Sequence, residues 1–276
     1  MNNHEINGDE PFHVPHRPGL TYDEGAAGGT TTIEVSAEGG RLAEYVSVAG
    51  THNNCAGGIT PWGTWLTCEE TEDRAGRPAC RRGSAHVRDL SQATTPGTQY
   101  KVDWVDVPDR RAATTSTRKQ FADDAITRSR KFEGAWWADG GAYIVASYAR
   151  ASDGSVHEHD GQIWFYEPGK ERITLKTIFT VNATPDQDGT NSDGPDNITV
   201  SPYGGVILAE DGEGVQHLVG VTDQGKSYPM ARNDLNGNEF AGPTFGADGK
   251  QLFAGIQSPG HVFAITGPWR RPSNGA

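Results

Sequence analysis

Phe132-Glu-Gly-Ala-Trp-Trp-Ala-Asp-Gly-Gly-Ala-Tyr-Ile-Val-Ala146 decides the fold, because the chain repeats it. The same pattern returns in Asp196-Asn-Ile-Thr-Val-Ser-Pro-Tyr-Gly-Gly-Val-Ile-Leu-Ala209 and in Ala241-Gly-Pro-Thr-Phe-Gly-Ala-Asp-Gly-Lys-Gln-Leu-Phe-Ala254. Each copy reads as a strand, an X-Gly turn and an apolar strand ending in Ala. The turns fall at Asp139-Gly140, Tyr203-Gly204 and Asp248-Gly249, 64 and then 45 residues apart. A looser copy runs from Cys55 to Glu70 and turns at Trp62-Gly63. Glycine there supplies the positive φ of a tight hairpin. Repeats of this length, each with room for about four short strands, are the signature of propeller blades.

Outward from these segments the hydrophobic period stays at two. Thr30 to Ser36, Glu44 to Val48, Val102 to Val107 and Gln162 to Tyr166 all alternate, and each ends in turn-forming residues. Only Thr117 to Arg130 carries a weak helical pattern. A sandwich with similar hairpins is the competing architecture, but the repeat spacing favours the propeller. The expectation is an all-β propeller of about five to six blades, as a whole ring or an incomplete one, with residues 1–276 forming a single domain. Trp62, Trp65, Trp136, Trp137 and Trp164 are expected on strands, as core between blades.

Composition narrows the function. Gly and Pro number 36 and 16, which disfavours long helices. The formal net charge is −12. An acidic surface repels phosphate backbones and anionic lipid, so neither a nucleic acid nor a membrane surface is an expected partner. No apolar run approaches the ~20 residues of a membrane span. Met1 to Glu10 has neither the basic start nor the apolar stretch of an export signal. Cys55, Cys68 and Cys80 are odd in number and lack CxxC spacing, which disfavours a disulfide framework or structural zinc. The Gly-rich turns lack the phosphate-loop pattern, and no Gly-x-Ser-x-Gly elbow is present.

Aligning the hairpins on their turns gathers polar residues at one end. Six residues before Asp139 stands Glu133; six before Tyr203 stands Asn197; seven before Trp62 stands Cys55. Seven after Trp62 stands Glu69, and seven after Tyr203 stands Glu210, followed by Asp211. A hairpin returns its second strand beside the start of its first, so Cys55 is expected near Glu69 and Asn197 near Glu210. Equivalent inner-strand ends converge on one mouth of a propeller. That mouth would hold Cys55, Glu69, Glu133, Asp196, Asn197, Glu210 and Asp211. Crowded carboxylates raise one another's pKa or recruit cations. Carboxylate and amide oxygens suit calcium, and a thiolate among them suits a softer transition metal. The plainer reading has Glu69-Glu70 and Glu210-Asp211 capping strands in solvent.

The segment Asn53-Asn-Cys-Ala-Gly-Gly-Ile-Thr-Pro-Trp-Gly-Thr-Trp-Leu-Thr-Cys-Glu-Glu70 resembles the defining segment of the PhoX-type alkaline phosphatases. Lys131-Phe-Glu-Gly134, Gly194-Pro-Asp-Asn-Ile198, Leu208-Ala-Glu-Asp-Gly212, Phe240-Ala-Gly-Pro243, the stretch from Phe253 to Trp269 and the opening Asn3-His-Glu5 extend the resemblance over most of the chain. The resemblance implies a propeller phosphomonoesterase that carries iron and calcium at one mouth and releases inorganic phosphate from small phosphate esters. It implies Cys55 as an iron ligand, with Glu133, Asn197 and Glu210 in or near the metal site. Arg130 or Lys131 would hold phosphate oxygens. A monomer is expected. Family members are usually exported, while the opening of this chain leaves its compartment open. Two departures from the family pattern are expected. Met1 enters the Asn-His-Glu segment at once, and Thr71 to Gly97 is short, basic and poor in strand signals.

Two further motifs admit two readings each. Asp186-Gln-Asp-Gly-Thr-Asn-Ser-Asp-Gly194 is either an incomplete calcium loop or a solvated turn, and His157-Glu-His159 is either a ligand pair or a hairpin loop. A calcium-dependent propeller lactonase or esterase, and a non-catalytic binding propeller, are the alternative functions.

Overall fold

The computed structural model describes residues 1–6, 11–69, 83–85, 89–109, 114–122, 125–148, 158–186 and 192–269. Within them the chain forms strands β1 (Asn2–His4), β2 (Gly28–Val35), β3 (Arg41–Thr51), β4 (Asn54–Ile59), β5 (Trp65–Glu69), β6 (Gly83–Ala85), β7 (Gln99–Trp104), β8 (Phe132–Ala138) and β9 (Gly141–Ser147). They continue as β10 (Gly161–Glu167), β11 (Arg172–Phe179), β12 (Pro195–Val200), β13 (Val206–Glu210), β14 (His217–Val221), β15 (Ser227–Arg232), β16 (Phe240–Phe245), β17 (Gln251–Ile256) and β18 (His261–Thr266). All strand pairings between these elements are antiparallel.

Five sheets follow one another: β1-β2-β3, β4-β5, β6-β7-β11-β10-β9-β8, β12-β13-β14-β15 and β16-β17-β18. Their leading strands are neighbours in space, with β1 against β4, β4 against β8, β8 against β12 and β12 against β16. The fifth sheet returns to the first, where Gln257 Nε2 donates to Glu5 Oε2 at 2.9 Å. This is the radial blade arrangement that the repeats imply, with five blades among the described residues. The third blade is larger than its own hairpins supply. β7 pairs with β11 and carries β6, so residues preceding β8 occupy that blade's outer edge.

A blade buried on both faces needs apolar side chains at every position of an inner strand, each set facing a different neighbour. β13 shows this: all five residues are buried, and the first four, Val206 to Ala209, are apolar. Val206 and Leu208 join Val145, Ile163 and Ile198 in the core toward the third blade. Ile207 and Ala209 join Phe240, Leu252 and Ile256 toward the fifth. Trp164, fully buried, fills the third blade with Leu90 and Leu175. Each fully buried aliphatic side chain stabilises by about 1.5–3 kcal/mol.

Several local expectations are corrected. Among the described residues of the 117–130 stretch no α-helix forms, only a 3₁₀ turn, Thr117–Lys119. The strand expected to reach Val107 stops at Trp104. Trp62 sits on the β4–β5 turn with 73% of its surface exposed, because a hairpin tip has no neighbouring blade to cover it. Glu70, Cys80, His157 and the middle of the 186–194 loop lie outside the described residues.

Candidate metal centre

The inner strands of four blades each carry an irregularity at the same place. Register shifts fall between Asn54 and Gly57 in β4, Phe132 and Ala135 in β8, Pro195 and Ile198 in β12, and Ala241 and Thr244 in β16. A bulge places two residues opposite one and re-aims their side chains. The first residue inside each bulge is Cys55, Glu133, Asp196 and Gly242 in turn. Three adjacent blades therefore deliver one thiol and two carboxylates to one point, where their ligand atoms all lie within 4.8 Å of one another.

Glycine permits this approach. A Cβ built on Gly58 in β4 would sit 1.8 Å from the carbonyl oxygen of Ala135 in β8. One built on Gly134 would sit 2.7 Å from the carbonyl oxygen of Asp196. No side chain fits between these backbones, so β4, β8 and β12 lie close enough for their bulge residues to meet. On the far side Gly242 has open space where a side chain would project. Its amide donates to Asn197 Oδ1 at 2.6 Å.

Each member is held by a partner. The Cys55 thiol lies 3.5 Å from Glu133 Oε2 in donor geometry, and the Cys55 carbonyl accepts from Asn3 Nδ2. Buried Asn54, beside it, donates to Thr67 Oγ1 at 2.9 Å. Glu133 is buried; its Oε1 meets Lys131 Nζ at 2.8 Å and accepts from Ser147 Oγ at 3.4 Å. Asp196 Oδ2 accepts from Asn197 Nδ2 at 3.0 Å, while its buried Oδ1 has no hydrogen-bond partner among the described residues. A buried carboxylate oxygen left without a donor is costly, and a cation satisfies it.

The electrostatics agree. Burial first, then the charges of Glu133, Glu239 and Asp211, push the Asp196 carboxyl well above its usual range, and Lys131 only partly opposes them. Burial first, then Asp211 and Glu5, push Glu239 up to about 8. The thiol and carboxylate donors fit a transition metal, and the surrounding oxygens fit a hard cation such as calcium.

The remaining expected residues are placed as follows. Glu69 pairs in register with Asn54, and its Oε1 accepts from the His52 amide at 2.7 Å. Glu210 pairs in register with Pro195; its two oxygens meet the Asp193 amide at 2.6 Å and His217 Nδ1 at 2.8 Å. Asp211 is exposed and close enough to raise both Asp196 and Glu239. Arg130 is exposed beside Lys131. Glu239 and Glu5 join the acidic mouth although the turn alignment does not select them. Glu239 immediately precedes β16, and Glu5 lies within the Asn3-His-Glu5 segment. His159, at 1% exposure, is buried at the entry to β10.

The family model described as alkaline phosphatase PhoX matches residues 1–101 and, overlapping it, 79–260. Among solved structures the chain is similar to Pseudomonas fluorescens PhoX in complex with vanadate, a transition state analogue. The two are 15% identical with a TM-score of 0.54, over 78% of this chain and 53% of that one. The chain thus spans about half the length of that protein, and the likeness bears on the fold. A protein from Lactobacillus plantarum is 9% identical with a TM-score of 0.34, over 81% of this chain and 74% of that one, a likeness too slight to argue from. No curated protein matches the chain.

Proposed function

Because this chain belongs to the PhoX alkaline phosphatase family, we propose that it is a metal-dependent phosphomonoesterase releasing inorganic phosphate from small phosphate esters. The observation that carries the reading is the meeting of Cys55, Glu133 and Asp196 from equivalent bulges of three blades. These three would hold the resident cation, with Asn197, Asp211, Glu239 and Glu5 lining the mouth around it. Glu69 and Glu210 would fix the strand ends that carry it. A cation there supplies charge to polarise a phosphoryl oxygen and to stabilise the departing alkoxide.

The chain's own groups set the rest. Five carboxylates facing one lysine repel a phosphate dianion, so substrate binding requires that the charge of the mouth first be reversed. Lys131 is half exposed, with its Nζ at the rim of the group, where it orients a phosphate oxygen without having to leave the site. Arg130, next to it in sequence, is exposed, and its charge reaches buried His159. The open space at Gly242 leaves the fourth side of the site clear for the ester. The Pseudomonas fluorescens protein binds vanadate, a transition state analogue, which supports a site for a phosphoryl group here.

The test is elemental analysis of the purified protein together with hydrolysis of an aryl phosphate, before and after chelation. Bound iron with phosphate release that chelation abolishes is the expected result. Phosphate release undiminished by removal of all metal would overturn the reading. A second reading, a metal-binding propeller without turnover, draws on Glu210, whose two oxygens are both used in protein contacts rather than in the group. Full metal loading with no hydrolysis would favour it.

A further inference from the structure

We propose that Cys55 and Cys68 form a reversible disulfide that withdraws the Cys55 sulfur from the acidic group, making the site sensitive to thiol oxidants. The disulfide itself follows from the strand register; its effect on the site rests on the metal-binding reading above.

In the β4–β5 hairpin Asn54 pairs with Glu69 and Gly57 with Thr67. The bulge residues Cys55 and Ala56 therefore stand opposite the single residue Cys68. Residues facing one another across antiparallel strands have Cα atoms roughly 4.5–5.5 Å apart, inside the span a disulfide needs. The faces agree as well. Asn54 donates to Thr67, and Glu69 accepts from the His52 amide, so Asn54, Thr67 and Glu69 share the face toward the first blade. Alternation puts Cys68 on the opposite face. Cys55 lies on that face too, because its sulfur meets Glu133 of the third blade. Both residues are thiols; Cys68 is exposed and Cys55 is partly buried. An oxidant thus reaches Cys68 first, and Cys55 stands beside it as the resolving thiol.

The chemistry balances with a small-molecule disulfide as oxidant. The Cys68 thiolate attacks one sulfur of that disulfide and releases one thiol, leaving a mixed disulfide on Cys68. The Cys55 thiolate then attacks the Cys68 sulfur and expels the second thiol. The two protein thiols give up their protons and two electrons, and the external disulfide takes them up. Excess dithiol reverses both steps. A cation held by the Cys55 sulfur ties up the resolving thiolate, so loading and cross-linking exclude each other.

The experiment uses full-length Cys80→Ser protein, which leaves only the two thiols in question, exposed to oxidised glutathione. Peptide mass spectrometry should show Cys55 and Cys68 joined with the loss of two hydrogens. Reductant should restore both thiols. Accumulation of glutathione on Cys68 with Cys55 still a thiol would overturn the proposal. Iron titration of the same samples should show affinity falling by more than about tenfold on oxidation, and prior loading with iron should suppress the cross-link. Cys68→Ser, Cys80→Ser protein should bind iron as the reduced protein does and be indifferent to oxidant. A cross-link that forms while iron affinity is unchanged would overturn the switch and leave the disulfide standing. Absence of iron binding in the reduced protein would instead sink the metal reading.

Discussion

Gly134→Ala tests whether close backbone approach builds the site. The new methyl carbon would lie 2.7 Å from the Asp196 carbonyl oxygen and 2.8 Å from both Asn197 Cα and Ile198 N. All three are backbone atoms of β12, so no side chain can swing away. Relief to ordinary contact at 3.4 Å requires β8 and β12 to part by about 0.7 Å. Overpacking of this kind costs about 1–3 kcal/mol, to be read from chemical denaturation. The same displacement carries Asp196 away from Glu133, whereas metal–ligand distances tolerate only about 0.2 Å. Iron affinity measured on the folded fraction should fall by more than about tenfold. Gly140→Ala is the control: its φ of 75° makes the substitution cost about 1–2 kcal/mol of backbone strain, but nothing lies within 4 Å of the added methyl group. Comparable destabilisation with iron binding intact is expected there. Wild-type iron affinity in Gly134→Ala would refute the claim that strand proximity assembles the ligands.

Cys55→Ser should lower bound iron by more than about tenfold while leaving the unfolding free energy within about 1 kcal/mol of the parent, and unchanged iron stoichiometry would remove Cys55 from the ligand set. Asp196→Asn should bind metal more weakly yet make the chelated protein more stable near neutral pH, since it removes a carboxyl that burial and the Glu133 charge push well above its usual range, a cost of folding that an amide does not carry; a less stable chelated variant would refute this. Glu239 gives a pH dependence, because its carboxyl is pushed from 4.5 up to about 8 on folding. Below 4.5 both states hold the proton; between 4.5 and 8 the unfolded chain releases it and the folded chain retains it, so stability falls as pH rises through that window. Urea midpoints of chelated wild type and Glu239→Gln across the window should diverge with that sign, and a flat difference would count against it.

The repeats and their turns carry local signals, so the blades are legible from the residues alone. Period-two alternation marks strands such as β2 and β10, and X-Gly pairs mark the hairpins. The site is legible to the extent that its residues sit at fixed phases in those repeats. Turn counting selects Cys55 and Glu133, but it selects Asn197 where the bulges align Asp196. The reason is the turn after β12: Ser201 and Gly205 close it through their backbone groups, enclosing three residues, whereas Ala138 and Gly141 enclose two. Counting five back from Ser201 or from Ala138 reaches Asp196 or Glu133. Glu239 precedes its strand and obeys no period, so only its position beside Phe240-Ala-Gly-Pro243 points to it. The placement of β6 and β7 has no local signature, because the edge they complete belongs to residues far along the chain.

That outer edge imposes a timetable on synthesis. β7 leaves the ribosome with its hydrogen-bonding partner β11 still roughly 70 residues from being made. At about 5–20 residues per second the wait is several seconds. The rim of the third blade is translated first and seated last, after its hub, and until then Tyr100 lacks its partner Ile173 of β11, while Val102 has only Ala85 of β6 beside it. A pause or a chaperone acting between residues 104 and 172 would act on this one leaf before any other.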